Sequence, residues 1–143
     1  MGWRYHGRTL IAVRPEEIFP YISTSDGFTK WFIRRCEPIP DTGGRFLMHW
    51  SGEEKAEGIV LESVQDERFS FEWTHDSLSL TTRIDMWLES VEGGVMFHIE
   101  EKEFPEELKY VDTLNSITEG WTIFLYNLKS VILSGYDLRD EWD

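Results

Sequence analysis

From residue 45 to residue 104 apolar side chains alternate along the chain, and after Pro105 they recur at helical spacing in one long stretch. That order restricts the fold more than any other feature. Period-two alternation puts Phe46, Met48 and Trp50 on one face of a strand and Arg45, Leu47 and His49 on the other. Residues 56–64 read as a second strand, broken in side-chain volume by Gly58. After the turn Gln65-Asp66-Glu67, Phe69, Phe71 and Trp73 share a face, with Ser70 and Glu72 opposite. Leu80, Thr82, Ile84, Met86 and Leu88 make the next inner row. Beyond the hairpin turn Glu92-Gly93-Gly94, Val95, Phe97, Ile99 and Glu101 point one way and Met96, His98, Glu100 and Lys102 the other.

The helical stretch ends at Ser134, with Gly135 as its C-cap. It starts near Glu106 or Asp112, or at Ser116, where Ser116 and Glu119 have capping-box spacing. Leu114, Ile117, Trp121, Phe124, Leu125, Leu128 and Ile132 form its main stripe, and Ile123, Tyr126 and Leu133 lie off it. Ahead of the strands, residues 3–13 end in a strand-like run. Arg14-Pro15-Glu16-Glu17 then opens a short helix, kept short or distorted by Pro20. Ser23 to Asp26 can cap a second short helix at 25–32, carrying Phe28, Trp31 and Phe32.

Short links between strands make an antiparallel meander, whose apolar face needs cover. Only the last helix is long enough to give it. The expected fold is α+β: a curved antiparallel sheet of about six to seven strands gripping a long C-terminal helix, with two short helices after the first strand, in one domain over residues 1–143. Such a grip leaves a hollow between sheet and helix. Apolar residues at 41% exclude intrinsic disorder. Apolar runs of three or four residues exclude a spanning helix, the first residues lack a secretory apolar core, and the one cysteine suits a reducing cytoplasm. The formal charge is −13, and from residue 51 onward seven Lys/Arg face twenty-two Asp/Glu. Nucleic acid and anionic membrane would be repelled.

The motifs also resemble a family. They are Val13-Arg14-Pro15-Glu16-Glu17-Ile18-Phe19, Thr29-Lys30-Trp31-Phe32, Gly43-Gly44-Arg45-Phe46, residues 58–64, Phe71-Glu72-Trp73, residues 120–129 and Gly135-Tyr136-Asp137-Leu138-Arg139. In this order they are similar to the SRPBCC (START-like, helix-grip) superfamily, in the branch named after the activator of the heat-shock-protein-90 ATPase. The resemblance covers nearly the whole chain. It implies the helix-grip fold and a sheet–helix cavity, and it leaves the chemistry open, since members include lipid carriers, receptors, cyclases, hydrolases and co-chaperones. Where the branch reads H-x-G-F, this chain reads Glu101-Lys102-Glu103-Phe104, so Glu101 takes the inward place of a histidine.

Candidate chemistry is sparse. The four histidines show no i, i+4 pair, and His49 and His98 fall on the outer strand face as surface histidines. No metal or other cofactor is expected. Cys36 follows Arg34 and Arg35, whose charge favours a thiolate, but lacks a histidine partner, and a packed thiol is the plainer reading. Glu101 points inward if alternation holds; a bulge near the sheet end would turn it to water. Trp50, Trp73 and Trp121 point inward and Trp31 lies near the mouth, either as core or as cavity lining. The mid-helix Gly120 fits close backbone approach to sheet or ligand. The candidate ligand-binding set is Trp31, Phe32, Phe46, Met48, Trp50, Phe71, Trp73, Phe97, Glu101, Trp121 and Leu125.

The favoured function is binding of a small apolar or aromatic ligand. A co-chaperone-like interaction module and a hydrolase or cyclase using Glu101 as acid or base are the alternatives. A protein partner and a homodimer are further candidate associations.

Overall fold

The computed structural model describes residues 2–50, 54–75 and 79–141. Strand β1 (Trp3–Ile11) leads into helices α1 (Pro15–Ser23) and α2 (Ser25–Thr29). Strands β2 (Arg35–Cys36), β3 (Arg45–His49), β4 (Lys55–Val64), β5 (Arg68–His75), β6 (Leu80–Val91) and β7 (Gly94–Phe104) follow. A 3₁₀ turn at Leu108–Tyr110 precedes helix α3 (Val111–Ser134). The strands form one antiparallel sheet in the order β1-β7-β6-β5-β4-β3-β2. Strands β2 to β7 are thus a meander, while α1 and α2 carry the chain from one sheet edge to the other. This is the α+β helix-grip architecture.

The inner register is as the alternation requires. Phe46, Met48, Phe71, Trp73, Phe97 and Ile99 are all buried, and Trp50 is half-buried just beyond β3. A slip by one residue would have turned every one of them outward. Gly58 has a packing reason: it pairs with Phe46, and a Cβ there would come within 2.7 Å of the Phe46 ring.

The outer face is more closed than alternation predicts. Asp85 is buried there, accepting from Ser70 at 2.5 Å and Arg68 at 3.1 Å, and bonded by Arg83, with Lys102 Nζ at 3.4 Å. Burial acts to raise the Asp85 carboxyl, but hydrogen bonds from Arg83 and Ser70 and the neighbouring cations outweigh it and hold it below its ordinary value. His98 is not a surface histidine. It is 6% exposed, stacked on Trp87 at 4.6 Å, and bonded to Glu89 at 3.0 Å and His6 at 2.9 Å. Burial and the adjacent His98 push the His6 imidazole down.

One helix boundary differs from expectation, and one open choice is settled. Helix α3 starts at Val111, beside the expected Asp112, so of the possible starts the one at Ser116 falls away: Ser116 and Glu119 lie inside the helix. The turn at Leu108–Tyr110 already winds the chain, and the apolar stripe extends back through Leu114. Gly135 closes the helix at φ 75°, donating to the Val131 carbonyl at 2.9 Å. Helix α2, capped by Thr24 accepting from Gly27 N–H, stops at Thr29 rather than 32. The carbonyls of Thr29, Trp31 and Ile33 are instead taken by Arg139 and Asn127.

Gly120 does not mark a close approach: a Cβ built there meets nothing within 4 Å. Gly120→Ala is therefore expected to stabilise the protein by about 0.5–1 kcal/mol, because alanine loses less backbone entropy in a helix. A lower urea midpoint for the variant would contradict this.

Candidate functional site

Alternation along β7 carries Glu101 to the inner face, opposite Ile84 of β6 and Tyr5 of β1. It is 0% exposed. The irregularity expected at the sheet end falls two residues later, where Glu103 adopts φ 75°. Glu101 thus stays inside, and a buried carboxylate must be satisfied by donors. Three converge on it. Trp121 Nε1–H of α3 donates to Oε1 at 2.6 Å. Thr82 Oγ1–H of β6 donates to Oε2 at 2.6 Å, and Trp73 Nε1–H of β5 reaches the same oxygen at 3.0 Å while also bonding Thr82 at 2.9 Å. The carboxylate therefore ties the helix to two strands.

Aromatic rings surround this polar centre. Phe32 lies 5.0 Å from Trp121, 5.2 Å from Phe124, 5.7 Å from Trp50 and 6.0 Å from Trp73, centroid to centroid. Trp73 and Trp121 stack at 5.8 Å, and Trp50 meets Trp73 edge-on at 5.5 Å. Phe32 is the ring inserted between sheet and helix. Of the candidate residues, Phe32, Trp50, Trp73, Glu101 and Trp121 meet here. Phe46, Met48 and Phe71 continue the buried inner face beyond Trp73, and Leu125 is buried on α3 one turn after Trp121. Trp31 is not near a mouth. It is fully buried, edge-on to Phe97 at 6.2 Å, with its indole N–H on the Tyr21 carbonyl at 2.8 Å.

Burial pushes the Cys36 thiol up to about 11, against the effect expected of Arg34 and Arg35. A separate groove of about 510 Å³ between Ser23, residues 39–42, Ser63 and Phe69 lies four residues along β5 from Trp73 and has no contact with Glu101. Among the described residues no group of three His, Cys, Asp or Glu is placed to hold a metal, and no helix is long and apolar enough to cross a membrane.

Sequence reasoning gave no role to Thr82 or to the C-terminal clamp. Thr82 was visible as the one polar member of an apolar inner row. In the clamp, Asn127 is fully buried on α3; its amide donates to the Trp31 carbonyl at 2.9 Å and to Asp137 at 3.1 Å, and its oxygen accepts from Leu138 N–H at 2.7 Å. Arg139 pairs with Asp137 at 2.7 Å and donates to the carbonyls of Ile33 at 3.0 Å and Thr29 at 2.7 Å. These bonds hold the segment that delivers Phe32.

The family described as "Activator of Hsp90 ATPase homolog 1-like protein" matches residues 12–132. The chain belongs to this family. Solved structures of the same helix-grip type agree over almost the full length. Protein MLL2253 of Mesorhizobium loti superposes with a TM-score of 0.83 at 17% identity, covering 95% of this chain and 100% of that one. Protein SSP2350 of Staphylococcus saprophyticus gives 0.79 at 17%, covering 96% of each chain. The Aha1 dimer of Colwellia psychrerythraea, solved in solution, gives 0.81 at 20%, covering 93% and 98%. At these identities the likeness establishes the fold shared by the family and these chains. No curated protein sequence matches significantly.

Proposed function

We propose that this family member binds a small, largely apolar ligand, neutral or cationic, in the sheet–helix space around Glu101. The observation that carries this is a fully buried carboxylate encircled by Phe32, Trp50, Trp73 and Trp121. Aromatic walls supply nonpolar contact, worth roughly 25 cal/mol per Å² removed from water before binding entropy is subtracted. A single polar group inside such walls orients a ligand donor. The ligand takes the place of the Phe32 ring, which sits between the indoles and the helix. Trp31, Phe46, Met48, Phe71, Phe97 and Leu125 back the site as its packed wall. The chain folds as one domain in the cytoplasm on this reading.

Three one-ring probes test the proposal: benzyl alcohol, benzylammonium and benzoate. Benzyl alcohol and benzylammonium are expected to shift the indole N–H resonances of Trp73 and Trp121 saturably, and benzoate to leave them in place, because an anion would meet Glu101 inside an acidic protein. Trp50→Ala should weaken the response. Phe32→Ala should strengthen it by vacating the site. Absence of any saturable shift in both wild type and Phe32→Ala would overturn the ligand reading.

The alternative, a co-chaperone-like module, rests on family membership and on the acidic surface. Binding of a basic protein partner through that surface would weaken steeply with salt.

A further inference from the structure

Strand β4 is interrupted by a bulge at Leu61. Val60 pairs with Phe71, but the next pairs are Glu62 with Ser70 and Ser63 with Phe69. Alternation from Ala56, Gly58 and Val60 would carry Val64 to the inner face. The bulge instead turns Val64 outward, where it is 37% exposed, and puts Ser63 on the inner side across from the buried Phe69. An apolar residue is thus given to water and a small hydroxyl to the inner row. The groove of about 510 Å³ opens over this exchange, and its volume lies in the range of small-molecule sites. Phe69 lines it from the sheet, packed against Phe28 at 6.0 Å and Phe71 at 5.8 Å. None of its lining residues belongs to α3, so it is not the sheet–helix space. The loop on its far side is held in place. Gly43 N–H donates to the Val60 carbonyl at 2.8 Å, Val60 N–H to the Gly44 carbonyl at 3.0 Å, and Gly44 N–H to the Asp41 carbonyl at 2.9 Å. The turn is tight enough that a Cβ at Gly44 would come within 2.6 Å of the Pro40 ring. A groove with a fixed rim needs little ordering when a ligand enters.

We propose that this groove is a second binding site, for a small cationic amine with a short apolar body. The inventory of donors and acceptors selects that class. The Asp41 carboxylate only accepts. The Ser23 hydroxyl already donates its proton to the Phe19 carbonyl at 2.6 Å, so toward a ligand it too accepts. The hydroxyls of Thr42 and Ser63 can do either. The side chains of Asp41, Thr42 and Ser63 make no hydrogen bond or ion pair among the described residues, so all three are available. Acceptors therefore outnumber donors, and no Lys or Arg lines the groove. An ammonium group brings three donors and no acceptor, and a chain of formal charge −13 draws it in. Ile39, Pro40 and Phe69 give its apolar body a surface to lie on. An anion of the same shape would meet Asp41, and a neutral alcohol would leave that carboxylate without a counter-charge. The site stands independently of the one at Glu101, with which it shares no residue.

Cyclohexylammonium, cyclohexanol and cyclohexanecarboxylate share a ring and differ in charge, and titrating each against the backbone amide resonances of the full chain tests the proposal. Cyclohexylammonium is expected to shift the amides of residues 41–44 and Ser63 saturably. Cyclohexanol should bind there at least about tenfold more weakly, and the carboxylate should leave these amides in place. Asp41→Asn, at an exposed loop position, should weaken cyclohexylammonium at least about tenfold. Ser63→Val puts an apolar side chain back into the inner row and should abolish binding by filling the groove. Circular dichroism of both variants should match that of the wild type. Shifts confined to the indole N–H groups of Trp73 and Trp121 would place the amine at Glu101 and overturn the groove site. Shifts that never saturate, an Asp41→Asn variant that binds as tightly as wild type, or no response at residues 41–44 would each overturn it as well.

Discussion

Trp121→Ala is expected to destabilise the protein by about 3–5 kcal/mol, read as a lower denaturant midpoint at unchanged slope. The side chain is 3% exposed and lies against Phe32, Trp73 and Phe124. Truncation leaves a ring-sized void and removes one of the donors to Glu101. Trp121→Phe separates the two contributions. It keeps most of the apolar volume and loses the N–H, so it should cost about 1–3 kcal/mol. Glu101→Gln adds a second check. Trp73, Thr82 and Trp121 all present donors, so the amide NH₂ must face at least one of them. In a double-mutant cycle Trp121→Phe and Glu101→Gln should therefore be non-additive. A loss below about 1 kcal/mol for Trp121→Ala would show instead that the indole borders an open space.

Arg139→Ala is the second large effect, with an expected loss of about 3–5 kcal/mol. Arg139 is 5% exposed, and its removal leaves the carbonyls of Thr29 and Ile33 without their donor and takes the cation from Asp137, which keeps only the Asn127 amide and a backbone N–H. Arg139→Lys should rescue little, because one ammonium cannot span the forked set of acceptors. The same clamp makes stability acid-sensitive. Hydrogen bonds from Arg139 hold the Asp137 carboxyl down at about 2, against 3.8 for an unperturbed aspartate. A depressed carboxyl contributes stability that is complete above the unfolded value and is lost as pH falls through the folded one. Asp137 thus supplies about 2 kcal/mol at neutral pH, lost between about pH 4 and pH 2. Asp137→Asn should flatten the stability profile in that window and leave its slope elsewhere unchanged.

The sheet was legible because its signal is local. A buried face forces alternation, and every inner residue from Phe46 to Glu101 obeyed it. The outer face was not legible in the same way. His98 and Asp85 occupy outward positions, yet neighbours on adjacent strands cover them, and cross-strand pairing is invisible to a single period. Inside the candidate site, the inward place of Glu101 followed from pattern, but its partners did not. Trp121 meets it from twenty residues away and Thr82 from nineteen, through pairings that only the folded register defines. Gly120 misled because a mid-helix glycine has two readings, a tight contact or a tolerated cost, and sequence alone cannot choose between them. The end of α2 missed for a related reason. Capping motifs announce where a helix can begin, and tertiary bonds such as Arg139 to Thr29 settle where it ends.

The route of α1 and α2 from one sheet edge to the other has a kinetic consequence. Strands β2 to β7 pair with their sequence neighbours and can zip up early, whereas β1 must find β7 from the far end of the chain, and Arg139 must find Thr29 across 110 residues. Long-range closures of this kind are paid for in loop entropy before they return any contact, so they come late and set the pace of folding. Until they form, the meander shows solvent a row of aromatic residues meant for α3. Nascent or refolding chains of this protein are therefore expected to expose that surface before closure, and dilution or a holding chaperone should raise refolding yield more than any change that strengthens the finished core.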